Sequence, residues 1–142
     1  MQHFKAGARP STRPNPDYFT GDVWFDPVMS TPAPARLNAL VVRFDPGART
    51  AWHTHPLGQT LYVLSGKGLI CRRGEAPQVI LPGDTVWFDQ GEEHWHGAAP
   101  DVGMTHLAMQ EADETGSAAV WLEKVTDADY RLDTQDPPER QD

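Results

Sequence analysis

The stretch from Gly47 to Gly66 restricts the possible folds of this chain more than any other part of the sequence. It contains His53 and His55, separated by one residue, and then Gln59 at the start of an apolar, β-branched run. Side chains alternate between the two faces of a β-strand, so the two histidines are expected to point the same way. The Pro-Leu-Gly sequence before Gln59 predicts a tight turn. Two imidazoles and one amide oxygen can therefore meet at the mouth of a β-hairpin, and imidazole is the commonest side-chain ligand for metal ions.

Another pair of histidines two positions apart, His94 and His96, lies further along the chain. If His94 points into a barrel, the alternation of a strand places His96 inside as well. A later strand, predicted over residues 104–110, carries His106 and Gln110 on one face. Turning that face inward brings both side chains next to His96.

Short apolar runs separated by turn signals predict an all-β fold. The 12 Gly and 13 Pro are spread along the chain, and turn signals recur roughly every ten residues, which is typical of a sandwich or barrel. The run Leu37–Phe44 is almost continuously apolar, as expected of a strand with both faces covered. The sequence predicts no helix longer than one turn, which Thr126 would cap.

The chain is expected to form one domain with an extended segment at each end. Its 142 residues suffice for a single core. We predict an extended N-terminal arm over residues 1–17, a barrel over residues 18–132 and a disordered C-terminal tail over residues 133–142. Both end segments are polar and contain proline, a composition that does not pack by itself.

Composition excludes several classes of function. The formal net charge of −8 argues against nucleic acid and anionic membrane surfaces as partners. No apolar run approaches the ~20 residues of a membrane helix, and the N-terminus lacks the apolar segment of a signal peptide. The single Cys71 lies in an apolar strand, which predicts a buried and inert thiol. We therefore expect a cytoplasmic protein that binds a small molecule.

The first histidine stretch resembles the first sequence motif of the cupin family. That motif is a glycine, five residues, His-x-His, three or four residues, Glu, six residues and Gly. Four positions match with the correct spacing, namely Gly47, His53, His55 and Gly66, and Gln59 stands in place of the usual Glu. The resemblance implies a double-stranded β-helix, or jelly-roll-like barrel, with little helix.

The second histidine stretch resembles the second cupin motif less completely. Gly83, Gly91 and His94 match it, whereas Asp89 replaces a proline and Ala98 replaces an asparagine. The two motifs and the region between them span the central two-thirds of the chain.

The resemblance implies a metal site formed by His53, His55, Gln59 and His94. Manganese is the first expectation, with iron, nickel or zinc as alternatives, because all four accept imidazole and carbonyl oxygen. Gln59 is neutral where the family usually has a carboxylate, so a divalent ion would keep its full charge and be a stronger Lewis acid. This favours non-redox chemistry over oxygen activation.

A subgroup of small cupins that includes manganese-dependent hydroxynitrile lyases is similar to this chain in both motifs. The similarity includes Gln59, His96, His106 and Gln110. Strand parity and this resemblance together predict a mostly apolar substrate pocket. Its predicted substrate-binding residues are Leu40, Val42, Thr50, Leu61 and Gln110.

The first functional hypothesis is a metal-dependent lyase that cleaves or forms small α-hydroxynitriles, giving an aldehyde and HCN. A neutral imidazole would take the substrate hydroxyl proton, with His106 as the first choice. The leaving cyanide would be stabilised by the metal or by His96 and Thr50. Leu40 is bulky and narrows the expected pocket, which argues against large aromatic substrates.

Two other hypotheses stay open. One is an iron-dependent dioxygenase at the same three histidines, which the neutral Gln59 disfavours and which would need oxygen for turnover. The other is a metal-stabilised barrel that binds a small ligand without chemistry. A pure binder need not keep His96, His106 and Gln110 together, and fold alone does not decide function.

Aromatic residues suggest a homodimer or a higher homo-oligomer. Trp87 and Trp95 occupy strand positions expected to face away from the metal, and an exposed pair of this kind, with Trp24, is typical of a subunit interface. Packing against loops of the same chain is the alternative. In the family that this chain resembles, an N-terminal arm often lies across a partner subunit.

Overall fold

The computed structural model describes residues 1–131 and residue 133, and most of its regular structure is β-strand. A 3₁₀ turn, Pro16–Tyr18, precedes the first strand, and one short helix, α1 (Asp127–Tyr130), follows the last. The strands are β1 Phe19–Thr20, β2 Val23–Ser30, β3 Leu37–Phe44, β4 Arg49–Thr50, β5 His53–Thr54, β6 Gln59–Gly66, β7 Gly68–Arg72, β8 Gln78–Ile80, β9 Thr85–Phe88, β10 His94–Ala98, β11 Met104–Glu111 and β12 Val120–Trp121. The prediction of an all-β fold with little helix is confirmed.

The strands form two antiparallel sheets that enclose an apolar core. The five-stranded sheet has the order β2-β3-β11-β6-β9. The seven-stranded sheet has the order β1-β4-β10-β5-β12, and β7 pairs with both β10 and β8. Both sheets contribute side chains to one cluster, the inner core, which includes Val42, Phe44, Leu61, Val63, Phe19, Ile80 and Ala98. The architecture is the jelly-roll-like barrel that the motifs predict.

A second apolar cluster, the outer cluster, lies on the other face of the seven-stranded sheet. Its buried members are Trp52, Leu69, Cys71, Val79, Trp95, Val125 and Tyr130. Strand β10 explains how the two clusters are separated, because its side chains alternate in direction. His94 and His96 point into the barrel, and Trp95 between them joins the outer cluster.

The C-terminal segment is held over the outer cluster by a buried arginine. Nη2 of Arg49 donates to the carbonyl of Val125 and to Oδ1 of Asp127, both at 2.9 Å. The same guanidinium lies 4.4 Å from the ring centre of Tyr130, whose hydroxyl donates to the carbonyl of Ala98 at 2.6 Å. These contacts fasten the end of the described chain to β4 and β10.

The interpretation of Trp87 and Trp95 as an exposed pair is wrong for Trp95. Trp95 is 0% exposed, with its ring centre 5.6 Å from that of Tyr130, so it packs within its own chain. Trp87 is 56% exposed. Cys71 is buried as predicted, and burial raises the pKa of its thiol to about 11.

The N-terminal arm lies along β2 of its own barrel. Thr12 forms a β-bridge with Phe25, and Arg13 pairs with Asp22 at 2.7 Å. Arg9 donates to the carbonyl of Val28. Contact of this arm with a second subunit stays a prediction. The predicted tail lies outside the described residues except for residue 133.

Within the part of the chain that the structure describes, no helix has the length and the apolar character needed to cross a bilayer.

Candidate metal centre

A hairpin turn brings the first two histidines and Gln59 together. His53 lies in β5, His55 follows it, and the chain then turns so that Gln59 begins β6. Gly58 makes this turn possible because its φ is +78°, a backbone conformation that residues with a Cβ rarely adopt. A Cβ at position 58 would also collide with the ring of Trp87. His94 reaches the same place from β10, where it is the antiparallel register partner of His53.

Three of the histidines are held in one orientation by backbone carbonyl groups. The Nδ1 contacts are His53 to Ala51 at 2.9 Å, His55 to Ala118 at 2.7 Å and His94 to Glu92 at 2.8 Å. A carbonyl oxygen can only accept, so Nδ1 must carry the proton in each ring and Nε2 must carry the lone pair. This tautomer is the one that metal-binding histidines commonly use, with the second nitrogen fixed by an acceptor.

Ring nitrogens of three histidines and one amide oxygen lie close together in this region. Ligand nitrogens of His53, His94 and His96 lie within 4.8 Å of one another, and this group does not include the predicted ligand His55. Oε1 of Gln59 lies 3.3 Å from Nε2 of His94, although both atoms are acceptors. Buried Nε2 atoms of His55 and His96 have no hydrogen-bond partner among the described residues. Converging lone pairs of this kind repel one another unless a cation lies between them, so the residues fit a divalent metal ion.

Burial keeps these imidazoles neutral. It lowers the pKa of His94 to about 3 and that of His106 to about 4, and it is also the largest cause of the strongly lowered pKa values of His53 and His96. Burial lowers the pKa of His55 as well. Neutral imidazole is the metal-binding form, so the cluster can accept an ion near neutral pH without first losing protons.

His96 and His106 form a hydrogen-bonded pair beside the cluster. Nδ1 of His96 lies 2.9 Å from Nε2 of His106, which is 0% exposed. The backbone N–H of His96 donates to Oγ1 of Thr50 at 3.2 Å. Strand parity predicted the approach of these two histidines, and the structure confirms it.

A cavity of about 140 Å³ opens beside the histidines. Its polar lining consists of Thr50, His53, His55, Gln59, His96 and Gln110. Its larger apolar lining residues are Phe19, Phe25, Leu40, Val42 and Trp121. An apolar cavity of roughly 150 Å³ is large enough to hold benzene, so this one can take one aromatic ring or a short aliphatic chain.

Four of the five predicted substrate-binding residues line this cavity; Leu61 does not, and neither does the predicted base His106. Leu40, Val42, Thr50 and Gln110 do line it. Leu61 is 0% exposed and belongs to the inner core, beside Ala108. His106 lies behind His96, which separates it from the cavity wall.

Sequence reasoning missed an aromatic wall of the cavity. Trp121 in β12 lies 4.6 Å from the ring of His53 and stacks on Tyr18 at 4.8 Å. Phe19 lies 5.6 Å from the rings of both Phe25 and Trp121. These residues come from opposite ends of the chain, so no local pattern could have assigned them to one wall.

Comparison with known proteins agrees with this fold. The family model described as the cupin domain matches residues 40–108. The chain is 53% identical over 131 residues to a curated protein of Granulicella tundricola named (R)-mandelonitrile lyase, covering 92% of this chain and 99% of that protein. The crystal structure of a cupin-like protein from Thermotoga maritima has a TM-score of 0.78 and 38% identity, over 84% of this chain and 90% of that one. A cupin-2 domain from Rhodospirillum rubrum shares the fold at 18% identity, with a TM-score of 0.68 over 90% of this chain and 82% of that one.

Proposed function

The chain belongs to the cupin family, and from this premise we propose that it is a metal-dependent lyase that cleaves or forms small α-hydroxynitriles. The observation that carries the proposal is the 53% identity to an (R)-mandelonitrile lyase along almost the full length of both chains. The neutral histidine cluster beside a small, mostly apolar cavity supports it.

The proposed ligands are His53, His55, Gln59 and His94, with manganese as the metal. The three histidines share the Nδ1-to-carbonyl arrangement that leaves Nε2 free for a metal. His96 differs, because its Nδ1 contacts the titratable ring of His106. A bound divalent ion would supply Lewis acidity toward the substrate hydroxyl or nitrile group.

His96 is the proposed contact for the substrate hydroxyl. Its Nε2 is buried in the cavity wall and has no partner among the residues described, so it can accept the hydroxyl proton. The oxygen electron pair then forms the carbonyl bond, the bond to the nitrile carbon breaks, and its electron pair leaves with cyanide. Return of the proton from His96 gives HCN.

His106 is the proposed partner of this base and not the base itself. For Nε2 of His96 to accept a proton, Nδ1 must carry a hydrogen and donate it to Nε2 of His106, 2.9 Å away. That hydrogen bond favours the imidazolium form of His96. Thr50 accepts from the His96 backbone, so its own hydroxyl hydrogen is available to the departing cyanide.

The cavity suits a substrate with one small ring. Phe19, Phe25 and Trp121 offer an aromatic wall, and Leu40 also lines the cavity. The volume of about 140 Å³ excludes large polycyclic groups. Mandelonitrile, with one phenyl ring, is therefore the first substrate to test.

The test is mandelonitrile turnover by purified, manganese-loaded protein, in air and under argon. We expect oxygen-independent release of benzaldehyde and cyanide. A fully loaded protein that releases neither would contradict the lyase proposal for this substrate. Oxygen uptake by iron-loaded protein would favour a dioxygenase, and ligand binding without turnover would favour a non-catalytic cupin.

Two variants separate ligand from base. His55→Ala is expected to lose bound manganese by elemental analysis. His96→Phe is expected to keep it while kcat falls by about 10²–10⁴-fold, the usual contribution of general acid–base catalysis. The reverse result, with metal lost in His96→Phe and kept in His55→Ala, would make His96 a ligand and overturn this assignment.

A homodimer and a cytoplasmic location also stay predictions. Light scattering of the purified protein tests the first, and fractionation of the producing cells tests the second.

A further inference from the structure

Three side-chain amides form a row across the five-stranded sheet. Gln110 in β11 is the register partner of Asn38 in β3 on one side and of Gln59 in β6 on the other. The three residues therefore lie at one level on three adjacent strands. The row begins at the proposed ligand Gln59, which is 4% exposed, and ends at the half-buried Asn38.

The hydrogen bonds along this row all run in one direction. Nε2 of Gln59 donates to Oε1 of Gln110 at 3.0 Å, and Nε2 of Gln110 donates to Oδ1 of Asn38 at 3.0 Å. With its amide nitrogen committed to Gln110, Gln59 presents its oxygen to the histidines, 3.3 Å from Nε2 of His94. The direction of the whole row thus decides which atom of Gln59 faces the metal centre.

The reverse direction would disable Gln59 as a ligand. Its NH₂ group would face the lone pairs of His94, and an amide nitrogen carrying two hydrogens cannot coordinate a cation. Gln110 alone cannot prevent this reversal, because a glutamine side chain can present either its oxygen or its nitrogen to a neighbour. In the structure Asn38 supplies an acceptor: its Oδ1 binds the Gln110 nitrogen, and this contact favours the observed direction.

We propose that Asn38 is a positioning residue that acts through Gln110 to turn the side-chain oxygen of Gln59 toward the metal. The inference rests on the proposed role of Gln59 as a ligand. Hydrogen bonds in such a chain also polarise one another, which makes the Gln59 oxygen a better donor to the metal. This partly offsets the missing negative charge of the carboxylate that cupins usually have there.

The test measures manganese affinity and the electron paramagnetic resonance spectrum of bound Mn²⁺. Asn38→Leu removes the acceptor at similar volume, and we expect a roughly tenfold weaker affinity with an altered spectrum, at the low end of the 10–100-fold cost of losing a group that orients a ligand. Asn38→Asp keeps an acceptor and is expected to retain the wild-type spectrum. Ser30→Ala, at the exposed register partner of Asn38 on β2, serves as the matched control.

Testing Asn38→Leu in a second protein, the Gln110→Glu variant, distinguishes a role of Asn38 in orienting Gln59 from a general role in stability. In Gln110→Glu the carboxylate can only accept, so it holds the Gln59 nitrogen without help from Asn38. We expect Asn38→Leu to leave manganese affinity unchanged in this background. An equal loss of affinity in both backgrounds, or wild-type affinity and spectrum in Asn38→Leu alone, would overturn the proposal.

The readouts keep this inference separate from the lyase proposal. Metal affinity and the Mn²⁺ spectrum do not depend on turnover, so a wild-type protein that fails to cleave mandelonitrile contradicts the lyase proposal alone. Thermal unfolding of the metal-free variants identifies any general loss of stability.

Discussion

Strands β10 and β6 lie in opposite walls of the same barrel, yet their outer faces meet different surroundings. All five residues of β10 are buried, because the inner core covers one face and the C-terminal segment covers the other. Along β6 the inward positions are buried, while Tyr62 and Leu64 are 42% and 45% exposed. The proposed metal centre takes His94 from the doubly covered wall, where both faces restrain the strand.

The difference indicates how one strand can serve function on one face and stability on the other. His94 and His96 face the inside of the barrel, where His96 lines the cavity, and Trp95 between them packs in the outer cluster. Substitutions at neighbouring positions of β10 should therefore have different effects, on function at one position and on stability at the next.

The largest effect is expected for His94→Ala. Manganese affinity should fall by more than the roughly 10–100-fold that follows loss of a ligand's hydrogen-bond partner, and lyase turnover should fall with it. Calorimetric titration of Mn²⁺ into metal-free protein measures the change. Wild-type metal content in this variant would remove His94 from the ligand set.

Acid should destabilise the metal-free protein because of the buried histidines that face the inside of the barrel. Burial lowers the pKa of His106 to about 4 and of His94 to about 3 from an ordinary 6.5. Between pH 6.5 and the lowered pKa values, the unfolded chain binds more protons than the folded one. The stability contributed by these neutral histidines is therefore fully present above pH 6.5 and declines as the pH falls toward 4. Urea unfolding at fixed ionic strength between neutral pH and the low end of this window checks it, and equal free energies of unfolding throughout would contradict it.

Trp95→Ala should mainly lower the stability of the protein and have a smaller effect on manganese binding. Removing this fully buried ring is expected to lower the free energy of unfolding by about 3–5 kcal/mol, measured by urea denaturation. Trp87→Ala is the matched control, at an exposed position of β9 in the five-stranded sheet. It should lower the free energy of unfolding much less. If Trp95→Ala weakened manganese binding as strongly as His94→Ala while still folded, the two faces of β10 would not be separable.

The smallest effect is expected for Tyr62→Thr on the open face of β6. Surface substitutions away from special features usually change stability by less than about 0.5 kcal/mol. A larger loss that depends on protein concentration would mean that a second subunit covers this face, and would sharpen the homodimer prediction.

Local patterns predicted a large part of the fold. Strand β3 has the predicted bounds, Leu37–Phe44, because its apolar run is almost continuous. Thr126 caps the single helical turn as expected, accepting from the backbone N–H of Asp129. Parity predicted that His106 lies next to His96, because alternation on a strand does not depend on distant contacts.

The sequence by itself determined the barrel class, the approach of His106 to His96 and the place of the neutral Gln59 beside His94, since these depend on alternation and spacing within short segments. Tertiary structure alone decided that Trp95 is buried, that Leu61 and His106 lie behind the cavity wall, and that Phe19 and Trp121 from distant parts of the chain share one wall. It also decided the direction of the amide row from Gln59 to Asn38. These features depend on which strands become neighbours, and local sequence patterns do not predict how distant strands pair.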